Sequence, residues 1–118
     1  MRRPFIAGNW KMNLDRESAK ALAAGIAAKV GSANLDVAVC PPFVYLETVA
    51  AAIAGSPVAL GGQNMYHAAS GAFTGEISPT MLTNVGCKYV ILGHSERRTI
   101  FNESNEEINK KVHAAFAA

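Results

Sequence analysis

The sequence predicts an α/β fold in which four parallel β-strands alternate with α-helices in a single domain spanning residues 1–118. Short apolar runs, rich in β-branched residues, recur along the chain, and a longer helix-forming segment follows each run. The runs are continuously apolar instead of alternating, which is typical of buried strands in a parallel sheet. The repeated strand–helix order therefore indicates a parallel sheet covered by helices.

Two strand–helix pairs occupy the first half of the chain. The predicted elements are strands at residues 5–8 and 36–40 and helices at 14–30 and 43–55. Asp15 is a capping candidate at the start of the first helix, and Gly31 follows its end. Pro41 and Pro42 end the second strand, because a proline cannot donate a backbone hydrogen bond to a sheet.

The second half repeats the pattern around a long polar loop. Its predicted elements are strands at residues 57–62 and 88–93, a loop at 63–76 and a last helix at 102–118. Ser78 and Pro79 predict the start of a short helix before the fourth strand, because proline favours the first helical position. The last helix is acidic at its start and basic in its middle, as the helix dipole favours.

Composition narrows the classes of function. Half of the residues are hydrophobic and 17% are charged, and a net charge of +2 does not favour nucleic acid or an anionic membrane as a partner. No run approaches the roughly 20 apolar residues of a membrane helix, and no targeting segment is visible, so we expect a cytoplasmic protein. Cys40 and Cys87 lack metal-ligand spacing, and reduced thiols are favoured over a disulfide between them.

Polar side chains follow the first and fourth predicted strands. Asn9 and Lys11 come after the first strand, and His94, Ser95 and Glu96 come after the fourth. Because the carboxyl ends of parallel strands meet at one edge of a sheet, we expect these groups to converge. A lysine in such a place can bind a phosphate or stabilise an oxyanion, and an ordinary surface lysine is the alternative.

The segment from His94 to Glu96 admits more than one role. If Ser95 begins a helical turn, the positive end of its dipole disfavours imidazolium, and a neutral imidazole can polarise a carbonyl. A purely structural histidine is the alternative. Glu96 could act on a substrate, pair with Lys11 or complete the start of a helix. A small anion-binding protein that uses Lys11 and the amides after Gly93 is a further alternative.

Two neighbouring segments have supporting roles. Ion pairs could tie the fourth loop to the last helix through Arg97, Arg98, Glu103 and Glu106. The segment 70–76 is small, bracketed by glycine, and carries Phe73 and Thr74. A long structured loop in a compact domain usually has a functional or interface role, and we expect an interface here.

Several segments together resemble the triosephosphate isomerase family. They occur in that family's order and spacing along nearly the whole chain: GNWKMN (8–13), CPPFVYL (40–46), GGQNMY (61–66), GAFTGEIS (71–78), VILGHSERR (90–98) and FNES (101–104). The resemblance implies the TIM (β/α)8-barrel fold, of which this chain would form a (βα)4 half barrel with parallel strands. It also implies an isomerase of glycolysis and gluconeogenesis that interconverts dihydroxyacetone phosphate and glyceraldehyde 3-phosphate through an enediolate, with no cofactor and no metal.

The resemblance assigns roles to single residues. His94 corresponds to the family's neutral electrophile, Asn9 and Lys11 correspond to its substrate-binding pair, and Glu96 corresponds to a supporting carboxylate. Lys11 is also assigned a catalytic role. Support of the loop is assigned to Ser95, Arg97 and Glu103. The loop that enters the neighbouring subunit of the family's homodimer corresponds to Gly71, Phe73, Thr74 and Gly75.

The resemblance covers half of the family's pattern. The family forms a complete barrel of about 250 residues. Its catalytic glutamate base, its lid and most of its phosphate-binding amides belong to later units, for which these 118 residues hold no positions. We therefore expect the chain to be inactive alone. Because its outer strands leave open edges, we also expect it to pair with a complementary C-terminal half barrel, to pair with itself or to aggregate. The alternative function is a non-catalytic, self-associating half barrel, which serves as a folding or assembly module.

Overall fold

Four parallel strands form one sheet in the order in which they occur along the chain. The computed structural model describes residues 2–31 and 34–118. Its strands are β1 (Phe5–Asn9), β2 (Asp36–Cys40), β3 (Ala59–Gly62) and β4 (Cys87–Val90). They pair in parallel in the order β1-β2-β3-β4, with a register irregularity between Leu60 and Gly61. The predicted parallel α/β architecture is therefore confirmed.

Helices connect and cover the strands. They are α1 (Arg16–Val30), α2 (Leu46–Ile53), α3 (Pro79–Asn84), α4 (Ser95–Ile100) and α5 (Asn105–Ala117), and a 3-10 turn at Phe43–Tyr45 leads into α2. The last helix, expected at residues 102–118, is α5 and begins three residues later than predicted, and the short α4 before it begins at Ser95, where a helical turn was considered. Across the described ranges, none of the helices combines the length and the apolar character needed to cross a membrane.

Side-chain caps determine where three of these helices begin. Asp15 accepts a hydrogen bond from the amide of Ser18 at 2.9 Å, and the Ser18 hydroxyl accepts one from the amide of Asp15, so α1 begins two residues later than predicted. Ser104 and Glu107 form the same reciprocal pair at the start of α5. Ser78 caps α3 through the amide of Met81, as its sequence position predicts.

The hydrophobic core lies between one face of the sheet and helices α1 and α2. Its most deeply buried members come from both layers and include Ala19, Ala23, Val39, Val49 and Leu60. Val39 of β2 is the register partner of Leu60 of β3, so both side chains point toward the same helices. The two alanines of α1 let this helix approach its neighbours closely. Full burial of each valine or leucine contributes roughly 1.5–3 kcal/mol.

The opposite face of the sheet is concave and is partly covered by two of its own aromatic rings. Phe5 of β1 and Tyr89 of β4 belong to the two edge strands, yet their ring centroids lie 4.9 Å apart. In a flat sheet these strands would be separated by three spacings, or about 14 Å. The sheet is therefore curved as in a barrel. Ala38 and Cys40 share this face and are almost completely buried.

The described residues leave both edge strands without a further neighbour. Phe5 and Ile6 of β1 keep 47% and 58% of their surface exposed. An apolar groove of about 490 Å³ runs along β4 between α3 and α5, and Phe116, which is 87% exposed, lies at its rim. Open strand edges beside exposed apolar side chains favour association with another sheet.

Candidate active site

Side chains from the two edge strands meet at the carboxyl end of the sheet. Lys11 lies two residues beyond β1, and its Nζ is 2.7 Å from Oε1 of Glu96 in the first turn of α4. Asn9 is the last residue of β1, and His94 directly precedes α4. The structure thus brings these four side chains into one cluster, because the curvature of the sheet brings the ends of β1 and β4 close together.

Lys11 is held in a backbone conformation that is uncommon for a residue with a side chain. Its φ is 56°, in the left-handed region, which costs about 1–3 kcal/mol for a residue other than glycine. Its amide donates to Oδ1 of Asn9 at 2.9 Å. Its carbonyl accepts a hydrogen bond from Nε2 of Gln63 at 2.8 Å, and the same amide group of Gln63 also donates to the carbonyl of Cys40 at 2.9 Å. Bonds on both sides of the strained residue therefore fix the direction of its side chain.

Gln63 was given no role by the sequence, although it directly follows β3 at the same end of the sheet. The available signal was its position, because polar residues just beyond parallel strands tend to belong to a site. The sequence could not show that its amide joins the carbonyls at the ends of two other strands.

A backbone amide at the start of α4 determines which ring nitrogen of His94 is free to carry a proton. Its Nδ1 accepts a hydrogen bond from the backbone amide of Glu96 at 3.0 Å. A ring nitrogen that accepts a hydrogen bond holds no proton, so this contact favours the neutral tautomer that carries its hydrogen on Nε2. The carboxylate of Glu96 lies 3.7 Å from Nδ1, which is too long for a hydrogen bond. The half-buried ring can therefore donate one hydrogen bond through Nε2.

Glu96 is a paired carboxylate. The hydrogen bond from Lys11 holds the pKa of Glu96 below its usual range, outweighing the opposing effect of desolvation. A general base works best when its pKa is near the operating pH, and a carboxylate that is held ionised by a lysine is a weak one. The geometry therefore favours a role for Glu96 in orienting Lys11 over a role in proton abstraction.

A buried group of charges lies behind the cluster. Oε2 of Glu103 accepts hydrogen bonds from Nζ of Lys111 at 2.6 Å and from Nε of Arg97 at 3.1 Å. Lys111 also donates to Oδ1 of Asn64 at 3.0 Å. The side chains of Glu103 and Lys111 are only 3% and 6% exposed. Burial alone would raise the pKa of Glu103, but the bonds from Lys111 and Arg97 outweigh it and lower the pKa.

Only part of this group was visible in the sequence. The pairing of Arg97 with Glu103 was among the ion pairs considered, whereas Lys111 and Asn64 were given no role. In the sequence, Lys111 is one of two adjacent lysines on a polar helix, and its burial depends on tertiary packing, which the sequence pattern does not show.

The other predicted supporting residues are placed as follows. Arg98 does not pair with Glu106; its Nε donates to the carbonyl of Gly93 at 2.8 Å. Gly93 has a φ of 66°, and a β-carbon there would lie 3.0 Å from Ile108, so this turn requires glycine. Ser95 is exposed at the start of α4, and its hydroxyl makes no hydrogen bond within the described part of the chain.

The loop expected at an interface is exposed and internally ordered. Its exposed residues include Gly71, Phe73, Thr74 and Gly75. The ring of Phe73 packs 4.5 Å from that of Tyr66, and the amide of Phe73 donates to the carbonyl of Gly71 at 3.0 Å. The base of the loop borders a cavity of about 340 Å³ that also contacts Arg97 and Glu103.

The two thiols are free and are buried to different degrees. Cys40 is buried and Cys87 is half-buried, so the expectation of two buried thiols is met fully by the first and in part by the second. Burial raises the pKa of Cys40 to about 11, and burial together with the neighbouring Cys40 raises that of Cys87 to about 11. Neither thiol is therefore an activated nucleophile.

Fold and site together define the class of protein. Parallel β–α units, with a lysine, a histidine and a carboxylate gathered beyond the carboxyl ends of the strands, are the arrangement of barrel enzymes that carry their chemistry at this face. The family model described as triosephosphate isomerase matches residues 4–118, and the chain belongs to that family.

Curated relatives agree with this assignment. The chain is 56% identical over 117 residues to the triosephosphate isomerase of Rhodopirellula baltica, an alignment that covers 98% of this chain and 46% of the relative. It is 55% identical over 118 residues to that of Magnetococcus marinus, covering 98% of this chain and 46% of the relative. The triosephosphate isomerase of Carboxydothermus hydrogenoformans is 55% identical over 117 residues, with 98% and 47% covered. The chain thus spans about half the length of the curated relatives it matches.

Proposed function

We propose that this chain supplies the electrophile-and-lysine half of a triosephosphate isomerase active site. The observation that carries the proposal is the hydrogen bond from the amide of Glu96 to Nδ1 of His94, which favours a neutral imidazole, together with the pairing of the same Glu96 with the ammonium of Lys11. A neutral histidine electrophile is itself the arrangement established for this family. The substrate would be dihydroxyacetone phosphate or glyceraldehyde 3-phosphate, in the cytoplasmic reactions of glycolysis and gluconeogenesis.

The geometry supports a defined division of labour in that reaction. Removal of a proton from the carbon next to the carbonyl moves its electron pair toward the carbonyl oxygen and forms an enediolate. Nε2–H of His94 would donate to the oxygen on which negative charge develops, and the ammonium of Lys11 would stabilise that charge and bind the phosphorylated substrate. Asn9 would contact the substrate and hold Lys11, because Oδ1 of Asn9 already accepts a hydrogen bond from the amide of Lys11. Glu96 would keep the ammonium aligned.

The proton itself needs a base that residues 2–31 and 34–118 do not place at the cluster. The carboxylate that lies there is Glu96, and its oxygen is already engaged by Lys11. We propose that the base is contributed by sequence outside these 118 residues, either in the same polypeptide or in a partner. The open edges of β1 and β4 are where such a partner half barrel would complete the sheet.

A complementation assay tests this proposal. The chain is mixed with the C-terminal half of the Rhodopirellula baltica relative, and interconversion of the two triose phosphates is measured. We expect no turnover by either half alone and measurable turnover by the mixture. In the mixture, His94→Gln should lower kcat by about 100-fold with a smaller change in KM, because the hydrogen bond is needed most as charge develops.

His113→Gln is the matched control, because His113 is exposed on α5 and belongs to no part of the cluster. Its kcat should equal that of the parent mixture. Turnover by the isolated chain, or an unchanged kcat in His94→Gln, would contradict the proposal.

A second candidate function is a non-catalytic half barrel that associates with itself. It is favoured by the exposed edge of β1 at Phe5 and Ile6 and by the groove along β4. Size-exclusion chromatography with light scattering tests it: an oligomer that shows no turnover with or without the complementary half supports this function. A monodisperse 12.4 kDa species that melts cooperatively contradicts self-association.

The exposed loop supports a further part of the proposal, a homodimer of the completed enzyme. The loop is already ordered by its own Phe73–Tyr66 packing, so Thr74 could enter a neighbouring subunit at low entropic cost. Thr74→Arg in the complemented enzyme should halve the mass measured by light scattering if this loop forms the interface.

A further inference from the structure

A buried ammonium group lies outside the cluster, and the reaction chemistry does not use it. Lys111 extends from α5 and donates to Oε2 of Glu103 at 2.6 Å and to Oδ1 of Asn64 at 3.0 Å. An isolated buried charge costs several kcal/mol, so a lysine in this position must keep its partners. A carboxylate is the expected partner of such a lysine. The second partner is a side chain of the loop that follows β3.

The hydrogen bond from Lys111 to Asn64 connects Lys111 to Lys11 through Gln63, the residue next to Asn64. Asn64 directly follows Gln63, whose Nε2 donates to the carbonyl of Lys11 at 2.8 Å and to that of Cys40 at 2.9 Å. Anchoring Asn64 to α5 fixes the backbone of both loop residues. We call the connection Lys111–Asn64–Gln63–Lys11 the Lys111 relay.

The hydrogen bond from Lys111 to Glu103 connects Lys111 to Glu96, the partner of Lys11, through Arg97. Glu103 accepts from Nε of Arg97 at 3.1 Å, and its amide donates to the carbonyl of Arg97 at 3.1 Å. Arg97 directly follows Glu96 in α4. One buried ammonium is therefore tied, on one side, to the loop that fixes Lys11 and, on the other, to the helix that carries Glu96.

We propose that Lys111 is a positioning residue that keeps the side chains of Lys11 and Glu96 aligned with each other at the site. Lys11 needs such support because its backbone is in the left-handed region, with its carbonyl held by Gln63. Displacements of about 1 Å at a site can cost on the order of 100-fold in rate, so a buried anchor has a catalytic consequence. That consequence rests on the proposed function, whereas the positioning itself does not.

Competitive acetylation tests the positioning without any turnover. The chain is treated with limiting acetic anhydride, and peptide mass spectrometry reports the reaction rate of Lys11 relative to the exposed Lys88. In Asn64→Ala we expect Lys11 to react about threefold faster, because the amine of a Lys11 side chain that is released from Glu96 is less shielded from the reagent. Asn64→Asp keeps an acceptor oxygen for Lys111 and should restore the parent rate.

Two further variants make the test decisive. Asn109→Ala removes an exposed asparagine from α5 and should leave the rate of Lys11 unchanged. Lys111→Met combined with Glu103→Leu removes the buried pair together, so this variant should retain the fold, and it should accelerate the reaction of Lys11 as Asn64→Ala does. Parent rates in both Asn64→Ala and the double variant overturn the proposal.

The acetylation experiment and the complementation assay can fail independently of each other. If acetylation follows the expected pattern but the complemented enzyme shows no turnover, the relay stands and the isomerase proposal fails. If turnover is present and Lys11 reacts at the parent rate in every variant, the isomerase proposal stands and the relay fails.

Discussion

Replacing Lys111 with methionine should destabilise this protein more than any change at its surface. The substitution keeps the aliphatic stem and removes the ammonium. Glu103, which is 3% exposed, then retains only Arg97 as a partner, because its second oxygen has no hydrogen bond in the described part of the chain. Breaking a buried pair by removing one member costs about 3–5 kcal/mol. That is at least about a fifth of the stability of an ordinary domain, which is roughly 5–15 kcal/mol.

A double-mutant cycle isolates the pair. Glu103→Leu alone leaves Lys111 with Asn64 as its one partner in the described ranges and should also cost about 3 kcal/mol. The double variant should stay within about 2 kcal/mol of the parent. The assay is urea unfolding followed by circular dichroism, at one protein concentration because association contributes to apparent stability. Lys110→Met, on the exposed side of the same helix, is the control and should change stability by less than about 0.5 kcal/mol. Additive single costs in the double variant would refute this reasoning.

Three other predictions concern acidity, thiols and capping. The pKa of Glu103 is lowered in the folded state, so the stability that its carboxylate contributes is present above the usual carboxyl pKa of 4.5 and is lost as the pH falls through the folded pKa. When urea unfolding is measured at several pH values, the free energy of unfolding of Glu103→Gln should fall less steeply toward acid pH than that of the parent. Thiol pKa values raised to about 11 predict slow alkylation of Cys40 and Cys87 at neutral pH, with the half-buried Cys87 reacting first, and equal fast rates in urea. Ser104→Ala removes the cap of α5 and should lower the free energy of unfolding by about 1 kcal/mol in the same urea assay; no change would contradict the capping assignment.

Much of the fold could be predicted because the strands carry a strong local signal. The run at β2 was placed at its observed bounds, since two prolines follow it directly and fix its end. Helix starts were less accurate. The start of α5 was set three residues early, although Ser104 and Glu107 form a capping box whose spacing is visible in the sequence.

The convergence of Lys11 with His94 and Glu96 could be predicted because these residues follow strands. Gln63, Asn64 and Lys111, which support them, were given no role. His94 stands out because it directly follows Gly93 near the end of a strand, and Lys11 stands out because it lies two residues beyond the end of β1. Lys111 does not, because burial of one lysine among several on a polar helix is decided by tertiary packing. The contact between Phe5 and Tyr89 was equally hidden, since it joins strands that are not neighbours in the sheet and depends on the curvature.

Nitrogen-15 NMR of His94 reports which ring nitrogen carries the proton. The proposed role of His94 requires a neutral imidazole whose Nδ1 accepts a hydrogen bond from the amide of Glu96 and whose Nε2–H can donate to a substrate oxygen. At mildly alkaline pH, the spectrum should show an unprotonated Nδ1 and a protonated Nε2, and His113 provides an exposed reference in the same sample. A proton on Nδ1 would contradict the account, because His94 could not then accept from the helix and present Nε2–H to a substrate.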